Sequence, residues 1–140
     1  MIRNTFATLS GLSAGMLWNI ALIELNMEVF FPPETPFDMS DTTALATYVD
    51  SLPPEAFVCV LLAHLGQAFF GGRVAARIAN ERFMIPVMLV GGLSLFGGVV
   101  SFMTIPGPNW LAVEFLLYLP LAYGAGRIES LRRAGIHNEA

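Results

Sequence analysis

Residues 83–105 read FMIPVMLVGGLSLFGGVVSFMTI and contain no Asp, Glu, Lys or Arg. As a helix rising 1.5 Å per residue, this stretch is roughly 35 Å long, about the thickness of the hydrocarbon core of a bilayer. It lacks the amphipathic face that a helix buried in a soluble domain shows. Residues 83–105 therefore predict a transmembrane helix.

Three further apolar segments have comparable length: residues 6–23, 56–72 and 110–126. In the whole chain 55 % of residues are hydrophobic and 13 % are charged, whereas soluble domains are about 25 % charged. A chain of 140 residues cannot hide so much apolar surface in a soluble core, so the surplus must face lipid. The sequence predicts one domain, residues 1–140: an all-α integral membrane protein whose four transmembrane helices form an antiparallel bundle.

The arginines predict the orientation of this bundle. All 7 cationic residues are arginines, and they lie at the N-terminus, between the second and third segments, and in the C-terminal tail. Residues 24–55, between the first two segments, include acidic residues but no Lys or Arg. By the positive-inside rule, both termini are cytoplasmic and the loop 24–55 is outside.

Part of this outer loop predicts a short amphipathic helix on the outer surface. The stretch SDTTALATYVDSL, residues 40–52, opens with Ser40, a residue type that caps helix N-termini. The apolar residues that follow share one face at helical spacing: Leu45, Tyr48, Val49 and Leu52.

Ionisable residues inside the apolar segments indicate a candidate intramembrane polar site. His64 and Glu114 lie roughly 12 Å and 6 Å below the outer ends of their helices. Such groups are costly in a membrane and need a partner or a water path. Paired, they could carry opposite charges, whereas alone each would be driven toward its neutral form. Four more residues complete the candidate site: Gln67, Asn19, Tyr118 and Glu24.

These four residues have simpler explanations as well. Asn19 and Gln67 could only hold helices together, at about 0.6 kcal/mol per interhelical hydrogen bond. Tyr118 is on the same helix face as Glu114, at i+4, and could donate its hydroxyl to the carboxylate. Glu24 is expected at the membrane interface.

Small residues and two arginines suggest partners. Gly11 and Gly15 form a GxxxG pattern that lets helices approach closely, and four short helices enclose little space by themselves. We therefore expect a homo-oligomer or docking into a larger membrane complex. Arg73 and Arg77, one turn apart at the cytoplasmic surface, could contact an anionic lipid headgroup, although a topology signal is the favoured explanation.

The stretch AHLGQAFFGGRVAARIA, residues 63–79, resembles a pattern in small bacterial membrane proteins with four transmembrane helices. PGPNW, residues 106–110, is similar to the proline–tryptophan start of their fourth helix. The resemblance implies a four-helix fold in a bacterial inner membrane and transfers no activity.

Three functional classes remain open. The first, which the sequence favours, is a structural or accessory membrane subunit or one that forms oligomers. The second is a small transporter or channel subunit in which His64 and Glu114 handle a proton or cation. The third and least favoured is a membrane enzyme, because Cys59 and His64 point roughly 140° apart on a helix and make a poor nucleophile–base pair. The sequence predicts no catalytic residue, cofactor or metal site, and its net charge of −4 without a basic stripe excludes a nucleic-acid partner.

Overall fold

The computed structural model describes residues 2–105 and 107–138. For residues 137 and 138 it describes the backbone only. The described chain forms five α-helices and two shorter helical segments: α1 (Ile2–Leu25), a π-helical turn (Asn26–Phe30), α2 (Thr42–Ser51), α3 (Ala56–Ile78), α4 (Met84–Thr104), a 3-10 helix (Asn109–Leu116) and α5 (Tyr118–Asn138). No strand occurs in the described residues. The predicted all-α class is confirmed.

The prediction of four apolar helices is confirmed too. Four helical stretches are long and apolar enough to cross a membrane: Ile2–Phe30, Ala56–Ile78, Met84–Thr104 and Asn109–Ile136. Large apolar side chains cover the outside of the bundle, where Phe96 is 68 % exposed and Leu116 is 75 % exposed. A surface of this kind suits lipid and would be costly in water.

The first span is longer than residues 6–23, the segment predicted from the sequence. α1 begins at Ile2 and continues to Leu25, and helical structure persists through the π-helical turn to Phe30. The reason is the absence of a helix breaker, because Pro32 is the first proline of the chain. Glu24 is exposed, so its charge does not end the helix.

The last span is two helices rather than the single one predicted over residues 110–126. A 3-10 helix ends at Leu116, and α5 begins at Tyr118. Pro120 explains the break, since its ring would clash with the carbonyl of Leu116 in a continuous α-helix and it has no N–H to donate there. In the first turn of α5 the same proline is tolerated.

α2 begins with a different cap from the one predicted. Asp41, and not Ser40, is the N-cap: its side chain accepts hydrogen bonds from the backbone N–H groups of Thr43 and Ala44. Ser40 instead donates to Asp38 from both its backbone N–H and its hydroxyl. These two bonds hold the pKa of Asp38 below its ordinary value.

α1 and α3 run in opposite directions. Near the start of α1, Arg3 Nε donates to the Ile78 carbonyl at 2.7 Å. Further along, Trp18 Nε1 donates to the Leu62 carbonyl at 3.3 Å. We call the end of the bundle with Arg3 and Ile78 the arginine end, and the opposite end, with α2, the loop end.

Glycines set the distance between α1 and α3. A Cβ atom added to Gly11 would lie 2.6 Å from the Gly71 carbonyl oxygen, and one added to Gly15 would lie 2.5 Å from the Gln67 carbonyl oxygen. These contacts are with backbone, which cannot turn aside as a side chain can. The GxxxG pattern of α1 therefore acts inside the chain, where it fixes the register of α3.

Candidate functional site

His64 and Glu114, which are 50 residues apart in the chain, are in direct contact. Nδ1 of His64 lies 3.1 Å from Oε1 and 3.0 Å from Oε2 of the Glu114 carboxyl group. Glu114 is 2 % exposed, and the His64 side chain is 17 % exposed. The contact joins α3 to the 3-10 helix near the loop end, and it gives each of these buried ionisable groups a partner.

Tyr118 also contacts the Glu114 carboxyl group. Its buried hydroxyl donates to Glu114 Oε1 at 3.4 Å, across the break between the 3-10 helix and α5. Gly98 of α4 makes room for this ring, because a Cβ atom there would collide with the Tyr118 hydroxyl. The Glu114 carboxyl group thus faces one imidazole and one phenol, which are contributed by two further helices.

A cavity of about 270 Å³ lies beside the pair. His64 and Glu114 form part of its wall, and the apolar face of α2 forms another part. Its polar lining residues are Asn19, Asn26, Tyr48, His64, Ser101 and Glu114. Most of the other lining residues are apolar, among them Ile23, Val60, Phe102 and Leu111.

α2 is tied down over this cavity. The Tyr48 hydroxyl donates to the Phe31 carbonyl at 2.7 Å, which connects α2 to the chain that leaves the first span. The face predicted from the sequence lines the cavity: Leu45, Tyr48, Val49 and Leu52. Burial raises the pKa of Tyr48, so its phenol remains neutral well above neutral pH.

Asn26 is a site residue that sequence reasoning missed. It is 2 % exposed and lines the cavity from the π-helical turn. Its Oδ1 is buried and accepts no hydrogen bond from any of the described residues. Its spacing from Asn19 was an available signal, because seven residues are nearly two helical turns and place both amides on one face.

The remaining predicted site residues are not all at the cavity. Asn19 lines it, whereas Glu24 is exposed and is not part of its wall. Gln67 does not bond to His64 in any described contact; its Nε2 donates to the Ser94 hydroxyl at 3.4 Å, which links α3 to α4. Gln67 is therefore placed as an interhelical contact.

Two observations concern possible metal ligands and nucleophiles. Among the side chains of residues 2–105 and 107–136, no three His, Cys, Asp or Glu residues are grouped closely enough to hold a metal ion. The Cys59 thiol donates to the Leu22 carbonyl at 3.6 Å, a contact with the α1 backbone. The chemistry available at the pair is proton exchange and the binding of a hydrogen-bond donor or cation.

A second buried carboxylate, Glu129, lies at the arginine end and was also missed. It is 0 % exposed and forms ion pairs with Arg132 at 2.6 Å, with Arg133 at 3.0 Å and with Arg73 at 3.6 Å. The spacings of i+3 and i+4 were a signal for the first two pairs. The pair with Arg73 depends on the packing of α3 against α5.

The two arginines proposed for lipid contact have different surroundings. Arg73 is directed into the bundle, toward Glu129 and the Ala125 carbonyl. Arg77 is exposed and, with three other arginines, lines a surface groove at the arginine end. We call this the arginine groove, and its basic residues are Arg3, Arg77, Arg132 and Arg133.

Comparison of the chain with protein-family models, curated proteins and solved structures finds no match. The resemblance to small bacterial four-helix membrane proteins stays a prediction. The features of this bundle that bear on function lie at its two ends: the His64–Glu114 pair with its cavity at the loop end, and the arginine groove at the other.

Proposed function

We propose that the arginine end lies in the cytoplasm and the loop end outside, in the inner membrane of a bacterium. The grouping of Arg3, Arg77, Arg132 and Arg133 around one groove supports this orientation, because clustered positive charge marks cytoplasmic ends. α2 and the cavity are then on the outer side. Association with further copies or with a larger complex stays a prediction.

We further propose that the protein handles protons or small cations at the His64–Glu114 pair. The observation that carries this proposal is the contact of His64 Nδ1 with both carboxyl oxygens, beside a cavity at the loop end. Ionisable residues within membrane spans are costly and commonly belong to proton or ion pathways. The acidic outer loop would attract cations to this side.

The pair offers a simple proton chemistry. With one proton between them, the two groups are an imidazolium and a carboxylate, or an imidazole and a carboxylic acid, and both forms are neutral overall. A second proton gives the pair a net charge of +1, and removal of the first leaves −1. The phenols of Tyr48 and Tyr118 also face this region, but free phenols ionise only near pH 10. Among the described groups that face the cavity, His64 and Glu114 are therefore the ones suited to proton exchange.

Glu114→Gln is expected to abolish proton flux. The amide retains the shape of the carboxyl group but cannot take up a proton in this range. Purified protein would be placed in vesicles that contain a pH-sensitive dye, and a potassium diffusion potential would be imposed with valinomycin. We expect the wild-type rate to exceed that of protein-free vesicles and the variant rate to fall to that background.

Glu24→Gln is the matched control for this flux experiment. It removes the same charge near the same end of the bundle, from an exposed residue that does not line the cavity, and it should retain wild-type flux. Wild-type protein that gives only background flux would contradict the proposal. The structural or accessory role would then be the better explanation.

We also propose that the arginine groove contacts anionic lipid headgroups through Arg77. Among the described residues no carboxylate lies within ion-pair distance of Arg77, whereas Arg132 and Arg133 are both paired with Glu129. A Lys or Arg near an anionic membrane surface contributes about 1 kcal/mol, so Arg77→Gln should weaken binding of phosphatidylglycerol about fivefold. Native mass spectrometry would measure this against phosphatidylcholine.

Arg82→Gln is the control for the lipid measurement. Arg82 is exposed at the same end but lies outside the arginine groove. Equal losses in the two variants would indicate general attraction to negative charge, with no site in the groove.

A further inference from the structure

Two of the residues that line the cavity contribute hydrogen-bond acceptors that bear on ligand binding. Asn26 Oδ1 is buried and has no partner among the described residues, and the Glu114 carboxyl group lines the same cavity. A buried acceptor without a partner costs about 1–3 kcal/mol. A ligand that supplies an N–H donor would remove this cost.

The rest of the lining limits the chemistry of that ligand. Most of the wall is apolar, with Phe57, Val60, Phe102 and Leu111 among its members. A Ca²⁺ or Mg²⁺ ion takes about six oxygen ligands and makes no use of apolar surface, whereas most of the residues that line this cavity are apolar. Small-molecule sites usually have volumes of about 300–1,000 Å³, and 270 Å³ is at the lower limit. A cavity of this size accommodates a molecule with a single small ring or a short chain.

We propose that the cavity binds a small organic ammonium ion, with its N–H groups on Glu114 and Asn26 and its apolar body against the apolar wall. This inference rests on the proposed function, since it names the cation that the pair handles. The inference also gives Asn26 a role in ligand recognition. Proton exchange at the His64–Glu114 pair does not require Asn26.

Binding of the ammonium ion requires release of a proton. When the pair holds one proton as an imidazolium and a carboxylate, His64 is the cation bound to Glu114. A second cation at Glu114 would be repelled by the His64 charge. If the imidazolium gives its proton to the outer solution, the ammonium ion can replace it beside the carboxylate. One positive charge enters and one leaves, so the site stays neutral overall. No covalent bond other than the N–H bond of the imidazolium breaks.

The ionisable groups that face the pair are few. α2 contributes Tyr48 and α5 contributes Tyr118, and both are phenols. α1 contributes the neutral amide Asn19, the π-helical turn contributes the neutral amide Asn26, and α4 contributes Ser101. In the described part of the wall, the exchanged proton can therefore come only from the pair.

Three probes of similar shape test the proposal on the unchanged protein. Benzylamine carries charge and N–H donors, benzyltrimethylammonium carries charge without donors, and toluene carries neither. Binding to protein in nanodiscs would be measured by calorimetry, in buffers with different ionisation enthalpies, at several pH values between about 5 and about 8, the range in which histidine side chains usually change charge. We expect benzylamine to bind at least about tenfold more tightly than either analogue, the usual effect of one hydrogen bond to a charged group.

Proton release and one variant complete the experiment. Benzylamine binding should release protons, which is seen as a binding enthalpy that changes with the ionisation enthalpy of the buffer. Asn26→Leu removes the acceptor but leaves the His64–Glu114 pair, and it should weaken benzylamine binding about tenfold while toluene binding is unchanged. Glu24→Gln, the control outside the cavity, should bind benzylamine as the wild type does.

The outcomes separate this inference from the proposed function. Proton flux without benzylamine binding would overturn the inference and leave proton handling in place. Benzylamine binding with proton release, but without any flux, would support the inference and contradict transport. Equal affinities for benzylamine and toluene would show an apolar cavity without an ammonium site and would overturn the inference, as would benzylamine binding without proton release.

Discussion

Gly71→Ala is expected to destabilise the bundle by about 3 kcal/mol, at the upper end of the usual range for overpacking. The added methyl group would lie 2.6 Å from the Gly11 carbonyl oxygen and 3.0 Å from Cγ1 of Val90. Because the first of these atoms is backbone, α1 and α3 would have to move apart along their contact. Reversible unfolding in mixed micelles would measure the change in the free energy of unfolding.

Gly124→Ala is the matched control for this prediction. A Cβ atom at Gly124 meets nothing within 4 Å, and it gains the same helix propensity, about 0.5–1 kcal/mol relative to glycine. The difference between the two variants therefore isolates the close approach of the helices. Equal stabilities would show that the α1–α3 distance does not depend on Gly71.

Glu129→Gln is expected to cost about 3 kcal/mol of folding free energy, the lower end of the range for breaking a buried ion pair. The amide would leave the charges of Arg73, Arg132 and Arg133 without their shared partner. We choose the lower end because the Arg132 side chain is 47 % exposed, so solvent screens its contribution.

Glu81→Gln is the control at the same end of the bundle. Glu81 is exposed, and a surface substitution of this kind changes stability by less than about 0.5 kcal/mol. Unfolding in micelles would compare the two variants with the wild type. A loss below about 1 kcal/mol for Glu129→Gln would mean that solvent stabilises the arginine charges almost as well as Glu129 does. The ion-pair cluster would then contribute little to the stability of the fold.

Loss of the Glu129 cluster should also loosen the end of α3. Arg133 donates to the Ala76 and Ala79 carbonyls, at 2.8 Å and 3.1 Å, where the final carbonyls of α3 have no intrahelical partner. Glu129 holds Arg133 in that position through the ion pair at 3.0 Å. Glu129 therefore stabilises the end of α3 indirectly, through Arg133, which lies on the same helix as Glu129, α5.

Local spacing within a helix predicted some of the contacts. Tyr118 was expected to donate to Glu114 at i+4, and the structure shows this bond although a 3-10 helix intervenes. Glu129 could have been found by the same argument from Arg132 and Arg133. Contacts of this kind depend only on helical geometry, so they can be predicted without knowing the fold.

Contacts between different helices cannot be predicted from the spacing of residues along one helix. The sequence indicated that His64 and Glu114 lie in the same half of the bilayer, but their contact depends on the rotation of two helices about their axes. Close approach at Gly11 and Gly71 sets part of that rotation, and Pro120 sets another part because it separates the 3-10 helix from α5.

Hydropathy by itself determined that this chain is all-helical and has four helices able to cross a membrane. In lipid each backbone polar group must be paired within its own segment, so an apolar stretch of this length has few structures available other than a helix. Tertiary structure alone decided that Asn26 and the His64–Glu114 pair share one cavity and that Arg73 turns inward to Glu129. The reason is that these contacts follow from how closely and at what rotation the helices pack, which depends on the shapes of all their neighbours together.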